Sequence, residues 1–206
     1  IYTTTDTLSL HDALPIYDIE FGDLNQVVHE TIPALRRLQE TGKVRFVGIT
    51  GLPLKAFEVV AEQTAVDTIL SYCRYSLNDT ALAERLPYFQ QKGIGVISAS
   101  PLSMGLLTNR GAPDWHPAPT AVRAACAQAA AHCRAHGADI AQLALQFSLA
   151  HPGITTTMVG TADPENMVKN IEWADNPPDP TLLAEVQAIL APIHNQTWLS
   201  GRPENN

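Results

Sequence analysis

The chain has 206 residues, 45% hydrophobic and 17% charged, enough to bury one sizeable core and too apolar for a disordered segment. Its formal net charge of -8, with no local run of Lys or Arg, sets nucleic acid and anionic membrane surfaces aside as partners. No apolar run approaches the roughly 18 residues of a spanning helix, and no basic-then-apolar leader opens the chain, so a cytoplasmic protein is expected.

From about residue 25 onward, helical and strand-like patterns alternate. A helix is predicted over 25–41, with Val28, Ile32 and Leu35 on one face and Gly42 as its stop. A buried strand, VRFVGIT, follows over 44–50. A short helix from Pro53 carries Leu54, Phe57 and Val60 at helical spacing, and 66–73 reads as the next strand. Asp79 or Thr80 can cap a helix bearing Leu82, Leu86 and Phe89 before Gly93, and 94–98 is a third strand.

The loop PLSMGLLTNRGAPDWHPAPT comes next, rich in Pro and Gly and of a length that usually signals function or mobility. An Ala-rich helix over 121–136 stops at Gly137, and a helix capped by Asp139 presents Ile140, Leu143 and Phe147 on one side. A last strand over 154–159 runs into GTADPENMVKN, and a final helix starts at Asp179-Pro180 with Leu183, Val186 and Leu190 facing inward.

Cys126 and Cys133 are separated by about 10 Å of helical rise, so with Cys73 they are expected to be reduced thiols. Together with His132 and His136 they offer no Cys-x-x-Cys or His-Glu-x-x-His spacing. An ordinary Ala-rich helix is therefore preferred to a metal site.

Four strand–helix units with no G-x-G-x-x-G after the first strand argue for an α/β fold of parallel strands, half of an eight-stranded barrel. A complete barrel takes about 250 residues, so the chain is expected to be a partial one with unpaired strand edges. Working groups in such barrels sit where strands end, here Thr50-Gly51, SYCRYSL, ASPLSMG and GTADPENMVKN. Gly160 permits a tight turn, and the helix starting near Pro164 aims amides at an anion, although a plain strand–helix turn explains the same residues. Ser100 and Ser103 supply hydroxyls, and Gly105 allows a close backbone approach. Tyr72 and Tyr75 either plug the barrel mouth or stack on a cofactor.

GKVRFVGITGLPL, VDTILSYCRYSLND, GVISASPLSMGLLT, VGTADPENMVKN and TWLSGRPENN, in this order, resemble successive pieces of the C-terminal half of aldo-keto reductases. Within that family they are similar to the L-galactose dehydrogenase and L-fucose (D-threo-aldose 1-) dehydrogenase group. The resemblance runs from about Asp18 to Asn206 and implies a TIM barrel, extra C-terminal helix included, that binds NAD or NADP without a Rossmann domain.

By that resemblance Thr50 and Gly51 meet the nicotinamide carboxamide, and Tyr72 replaces a common Gln. Ser100, Pro101, Leu102 and Gly105 cover the pyrophosphate, while Ala99 stands where relatives stack an aromatic ring. Gly160, Thr161, Ala162, Asp163, Asn166 and Asn170 match the adenosine end. With Ala162 and Asp163 where a 2′-phosphate would need a cation, NAD is expected over NADP. From their chemistry alone, Trp115 and His116 in the long loop either form a substrate loop that packs against a sugar or aldehyde, or anchor their own segment.

The family's catalytic Asp, Tyr and Lys belong upstream of these residues. Tyr17 takes the catalytic His position, and a phenol without a neighbouring Lys is a poor acid–base group near neutrality. The chain is thus expected to be inactive alone, a fragment of an aldose dehydrogenase that forms a lactone at C1. The alternative is a non-catalytic dinucleotide-binding or regulatory module; a flavodoxin-like domain fits ITGLPL poorly. Residues 1–16 do not match the family, TLSLHDALPI resembles a translated adapter, and His11-Asp12 is rejected as the catalytic His because it lies six residues early.

Overall fold

The structure, a computed structural model, describes residues 13–206. His11, Asp12 and most of the segment read as foreign lie outside them. Its last four residues form a strand, β1 (Ala13–Ile16), that the sequence reading did not contain. ALPI is too short to show a periodicity. It runs parallel to β2 (Phe46–Gly51), with Ala13 opposite Phe46 and Ile16 opposite Ile49.

Between these strands, Leu24–Gln26 (α1) leads into a π-helical turn, Val27–Thr31, and then into α2 (Ile32–Glu40). The wide turn has a local cause. Pro33 has no N–H to offer the carbonyl one turn back and its ring crowds that carbonyl, so the helix widens and Ile32 bonds to Val27 instead.

The described residues fall into two compact units. The first comprises those up to Leu70, with Gln90–Gly95 and Leu199–Asn206. Its centre is β2, buried from Val47 to Gly51, against which α3 (Leu54–Gln63) sets Ala56, Phe57, Val60 and Ala61. Arg36 of α2 grips the Asp67 carboxylate at 2.7 Å, and the same carboxylate accepts the Val47 amide, tying helix to strand.

The second unit comprises Ser71–Phe89 and Val96–Trp198. It holds most of α4 (Ala81–Gln91) and β4 (Gly95–Ala99), followed by α5 (Thr120–Ala135) and α6 (Ile140–Leu149). The elements β5 (Thr156–Met158), α7 (Pro164–Ala174) and α8 (Pro180–Leu190) complete it. The strand β3 (Thr68–Tyr72) leads from the first unit into the second.

The strands β4 and β5 of the second unit pair in parallel. Asp67 bridges the Val47 carbonyl and the Gly95 amide, Cys73 N–H donates to Ala99, and Ile97 to Ala99 lie opposite Thr156 to Met158. The last strand is shorter than predicted because its residues are largely exposed and little packing defines its ends. Along α5, Val122, Cys126, Ala129 and Cys133 form the buried stripe facing the core, so two cysteines serve as small apolar residues, and all three are free thiols. No helix among the described residues is long and apolar enough to cross a membrane.

Candidate functional site

The strand exits carry the chain's backbone strain. In the second unit, Cys73 directly follows β3 with φ 59, and Ser100 directly follows β4 with φ 58. Ser103 and Met104 repeat the left-handed conformation, with φ 46 and 53. Such non-glycine residues cost energy and collect at functional sites. The Cys73 amide bonds to Ala99, the Ser100 amide bonds to Met158 at 3.2 Å, and Ser100 touches the Cys73 thiol. Burial pushes that thiol up to about 12 despite the Ser100 contact, so Cys73 is a buried neutral group rather than a nucleophile.

These bonds bring Ser100 beside β5, and with it the GTADPENMVKN turn. Gly160 has nothing within 4 Å of where a side chain would stand, and Ala162, Asp163 and Asn166 are exposed. Asp163 caps α7, its carboxylate accepting the Glu165 amide at 2.9 Å, while Thr161 accepts the Asp163 amide at 3.1 Å. Asn166 and Asn170 share one helix face, and only Asn170 is buried.

The loop after β4 has a different character from the one its composition suggests. Ser103, a candidate ligand donor from sequence, is fully buried and donates to Asn78 at 2.8 Å, with Ser76 within 3.0 Å of both. The amides of Ser103, Gly105, Leu106 and Leu107 bond within the loop itself. Pro101 is buried, Leu102 half-buried, and Gly105 turns with φ 100.

Trp115 is 70% exposed, whereas His116 beside it is 4% exposed. The His116 Nδ1 accepts the Ala118 amide at 3.0 Å and its Nε2 faces the Ser103 carbonyl at 3.1 Å, which fixes the proton on Nε2. Burial holds its pKa below the usual histidine value. Arg123 of α5 closes the loop by donating to the carbonyls of Pro113, Asp114 and His116. Sequence reasoning missed this clasp, since a lone Arg on an Ala-rich helix signals nothing locally. Tyr75 also goes inward, stacked on Phe147 at 5.3 Å, whereas Tyr72 stays half-buried at the strand end.

The first unit gathers the other predicted group. Thr50 is buried, and its hydroxyl accepts the Asp18 amide at 2.9 Å. Asp18 itself has φ 50; burial raises its carboxyl, a nearby Glu20 adds to this, and a hydrogen bond from Thr50 opposes both. A side chain at Gly51 would meet the Glu20 carboxylate at 2.6 Å, so a larger residue there would have to displace that side chain. Tyr17 is 73% exposed.

Strained residues after consecutive parallel strands, with an Asp-capped helix after β5, match a known arrangement, and the aldo/keto reductase family profile fits residues 2–191. The chain belongs to the aldo/keto reductase family. L-galactose dehydrogenase of Arabidopsis thaliana is 49% identical over 201 residues, covering 94% of this chain and 63% of that protein. D-threo-aldose 1-dehydrogenase of a Pseudomonas species is 27% identical over 169 residues, covering 79% and 51%. The chain therefore spans between half and two thirds of these curated relatives. Among solved structures, the holo form of an aldo-keto reductase from Bacillus halodurans aligns with TM-score 0.67 at 20% identity, covering 92% of this chain and 60% of that one. At that identity the likeness speaks for the α/β barrel fold of the family alone.

Proposed function

We propose that this chain is the dinucleotide-holding part of an NAD-dependent aldose dehydrogenase acting on an L-galactose- or L-fucose-type sugar. The observation that carries the reading is the 49% identity with L-galactose dehydrogenase, sustained over 94% of the chain. Oxidation of such a sugar hemiacetal to a lactone would give up a hydride from C1 and a proton from its hydroxyl. Bound NAD supplies the hydride acceptor.

The residues present fit such a group. Gly160 leaves open backbone after β5, and Asn170 is a buried amide on the helix face that also bears Asn166. Thr161, Ala162 and Asp163 complete that end, and the Asp163 carboxylate at the helix N-terminus repels the extra phosphate of NADP. Ser100, Pro101, Leu102 and Gly105 face the pyrophosphate, with Ser100 contributing its side chain because its amide is already engaged. Thr50, Gly51 and Tyr72 serve the nicotinamide end. On this reading His116 orders the loop and Trp115 is the member of the pair that meets a sugar, offering an exposed face to its C–H surface.

On this reading the family's Asp, Tyr and Lys are not among the described residues, and the phenol of Tyr17 is the group at the His position. The chain alone binds NAD without turning it over. Its three free cysteines are in keeping with a reducing cytoplasm. The test joins to this chain the residues of the Arabidopsis enzyme that precede the matched region, with Tyr17→His, and follows NAD reduction. Turnover of L-galactose or L-fucose with lactone release supports the reading. A well-folded chimera that binds NAD but oxidises neither sugar overturns the substrate assignment.

A further inference from the structure

Two histidines at the C-terminal end of α5 meet one carboxylate of α8. His132 and His136 are four residues apart, hence on one helix face, with ring centroids 4.3 Å apart. Glu185 reaches across from α8, its Oε2 lying 2.7 Å from His132 Nε2 and 4.0 Å from His136 Nε2. The three ligand atoms lie within 4.8 Å of one another. All three side chains are open to solvent, at 27%, 51% and 43% exposure, so an ion has a way in.

We propose that His132, His136 and Glu185 form a binding site for a divalent transition metal ion, Zn2+ in particular, which clasps α5 to α8. Three features of the cluster converge on this. Zinc–ligand bonds of about 2.0–2.2 Å at tetrahedral angles put ligand atoms roughly 3.4 Å apart, a value the observed separations bracket. The His136 Nδ1 lies 2.9 Å from the His132 carbonyl, which can only accept, so Nδ1 carries the proton and Nε2 turns its lone pair toward Glu185. That is the backbone-oriented imidazole typical of metal ligands. The site also sits at the negative end of the α5 dipole, where a cation is favoured.

In the metal-free cluster, His132 Nε2–H donates to Glu185. Metal binding replaces that proton on Nε2 while Nδ1 of the same neutral ring takes one up from solvent, and water fills the remaining position. Two imidazoles and one carboxylate suit Zn2+ and discriminate against Mg2+, which takes oxygen ligands and keeps its water. The buried Cys126 and Cys133 lie on the core face of α5 and take no part.

The test titrates ZnCl2 and, separately, MgCl2 into the chain, reading heat of binding and the thermal midpoint. The site predicts one tight Zn2+ equivalent, a raised midpoint with Zn2+ and none with Mg2+. His136→Ala keeps the 2.7 Å His132–Glu185 contact but loses a ligand, so its Zn2+ affinity falls by more than about 100-fold, beyond the effect of losing an outer-shell partner. Glu185→Gln loses affinity as well. Should His136→Ala bind Zn2+ like the parent chain, or the parent show no saturable Zn2+ equivalent, the cluster is a helix–helix hydrogen bond and the proposal falls.

Discussion

The buried carboxylate of Glu20 accepts a hydrogen bond from the Ser200 hydroxyl, 180 residues later in the chain, at 2.9 Å. The same residue takes the Leu52 amide on its carboxylate, and its backbone carbonyl receives the Arg202 amide and the Asn205 side chain. The C-terminal segment is thus bolted to the turn that follows β1. Glu20→Ala strands the buried Leu52 amide and the half-buried Ser200 hydroxyl, and we predict a loss of about 2–4 kcal/mol of stability in denaturant unfolding, against about 1 kcal/mol for Ser200→Ala. Equal small effects from both variants would mean the bolt contributes little.

Gly201 stands at φ 70 with its α-carbon against the Glu20 carbonyl, and a methyl there would collide with backbone. Gly201→Ala therefore combines left-handed strain with a contact that no side-chain rotation relieves. A destabilisation of at least about 1–3 kcal/mol is expected. A thermal midpoint equal to that of the parent chain would show that the segment shifts freely.

His116 is neutral in the folded chain because burial disfavours its charged form. Its folded pKa lies below the ordinary value of about 6.5, so the unfolded chain takes up the proton first as pH falls. Stability is then lost on acidification below about 6.5 and is unaffected by this group above it. The difference in stability between the parent chain and His116→Gln isolates this slope from carboxyl titration. A difference independent of pH between 7 and 5, roughly the range where histidine titrates, would contradict it.

Cys73 and Cys126 are both pushed up to about 12 by burial. The thiolate is the reactive form, so native chain should resist a thiol reagent at mildly alkaline pH and react fully once unfolded. Rapid labelling of Cys73 in the native chain would show that the β3 exit opens.

Helices were legible in the sequence because their ends are written locally. Asp139 and Asp179 each accept the amide two residues on, where the sequence pattern begins a helix, whereas the same bond at Asp163 was not read from the sequence. The strands in the middle of the chain were legible as apolar runs. By contrast, β1 is four residues long and gains its order from pairing with Val47 and its neighbours, which no local pattern encodes.

The candidate site was half legible for the same reason. The open turn at Gly160 follows from adjacent residues. The burial of His116, the capture of Ser103 by Asn78 and the meeting of His136 with Glu185 each depend on residues 13 to 49 positions apart, so hydroxyl and imidazole chemistry alone does not reveal them.

The most direct test of the account is a calorimetric titration of NAD and of NADP into the chain and into its Asn170→Ala and Asp163→Arg variants. The account predicts NAD binding, NADP binding at least about tenfold weaker from the carboxylate–phosphate repulsion, weakened NAD binding in Asn170→Ala, and recovery of NADP in Asp163→Arg. NAD affinity unchanged by Asn170→Ala, or NADP bound as tightly as NAD by the parent chain, would contradict the placement of the adenosine end at α7.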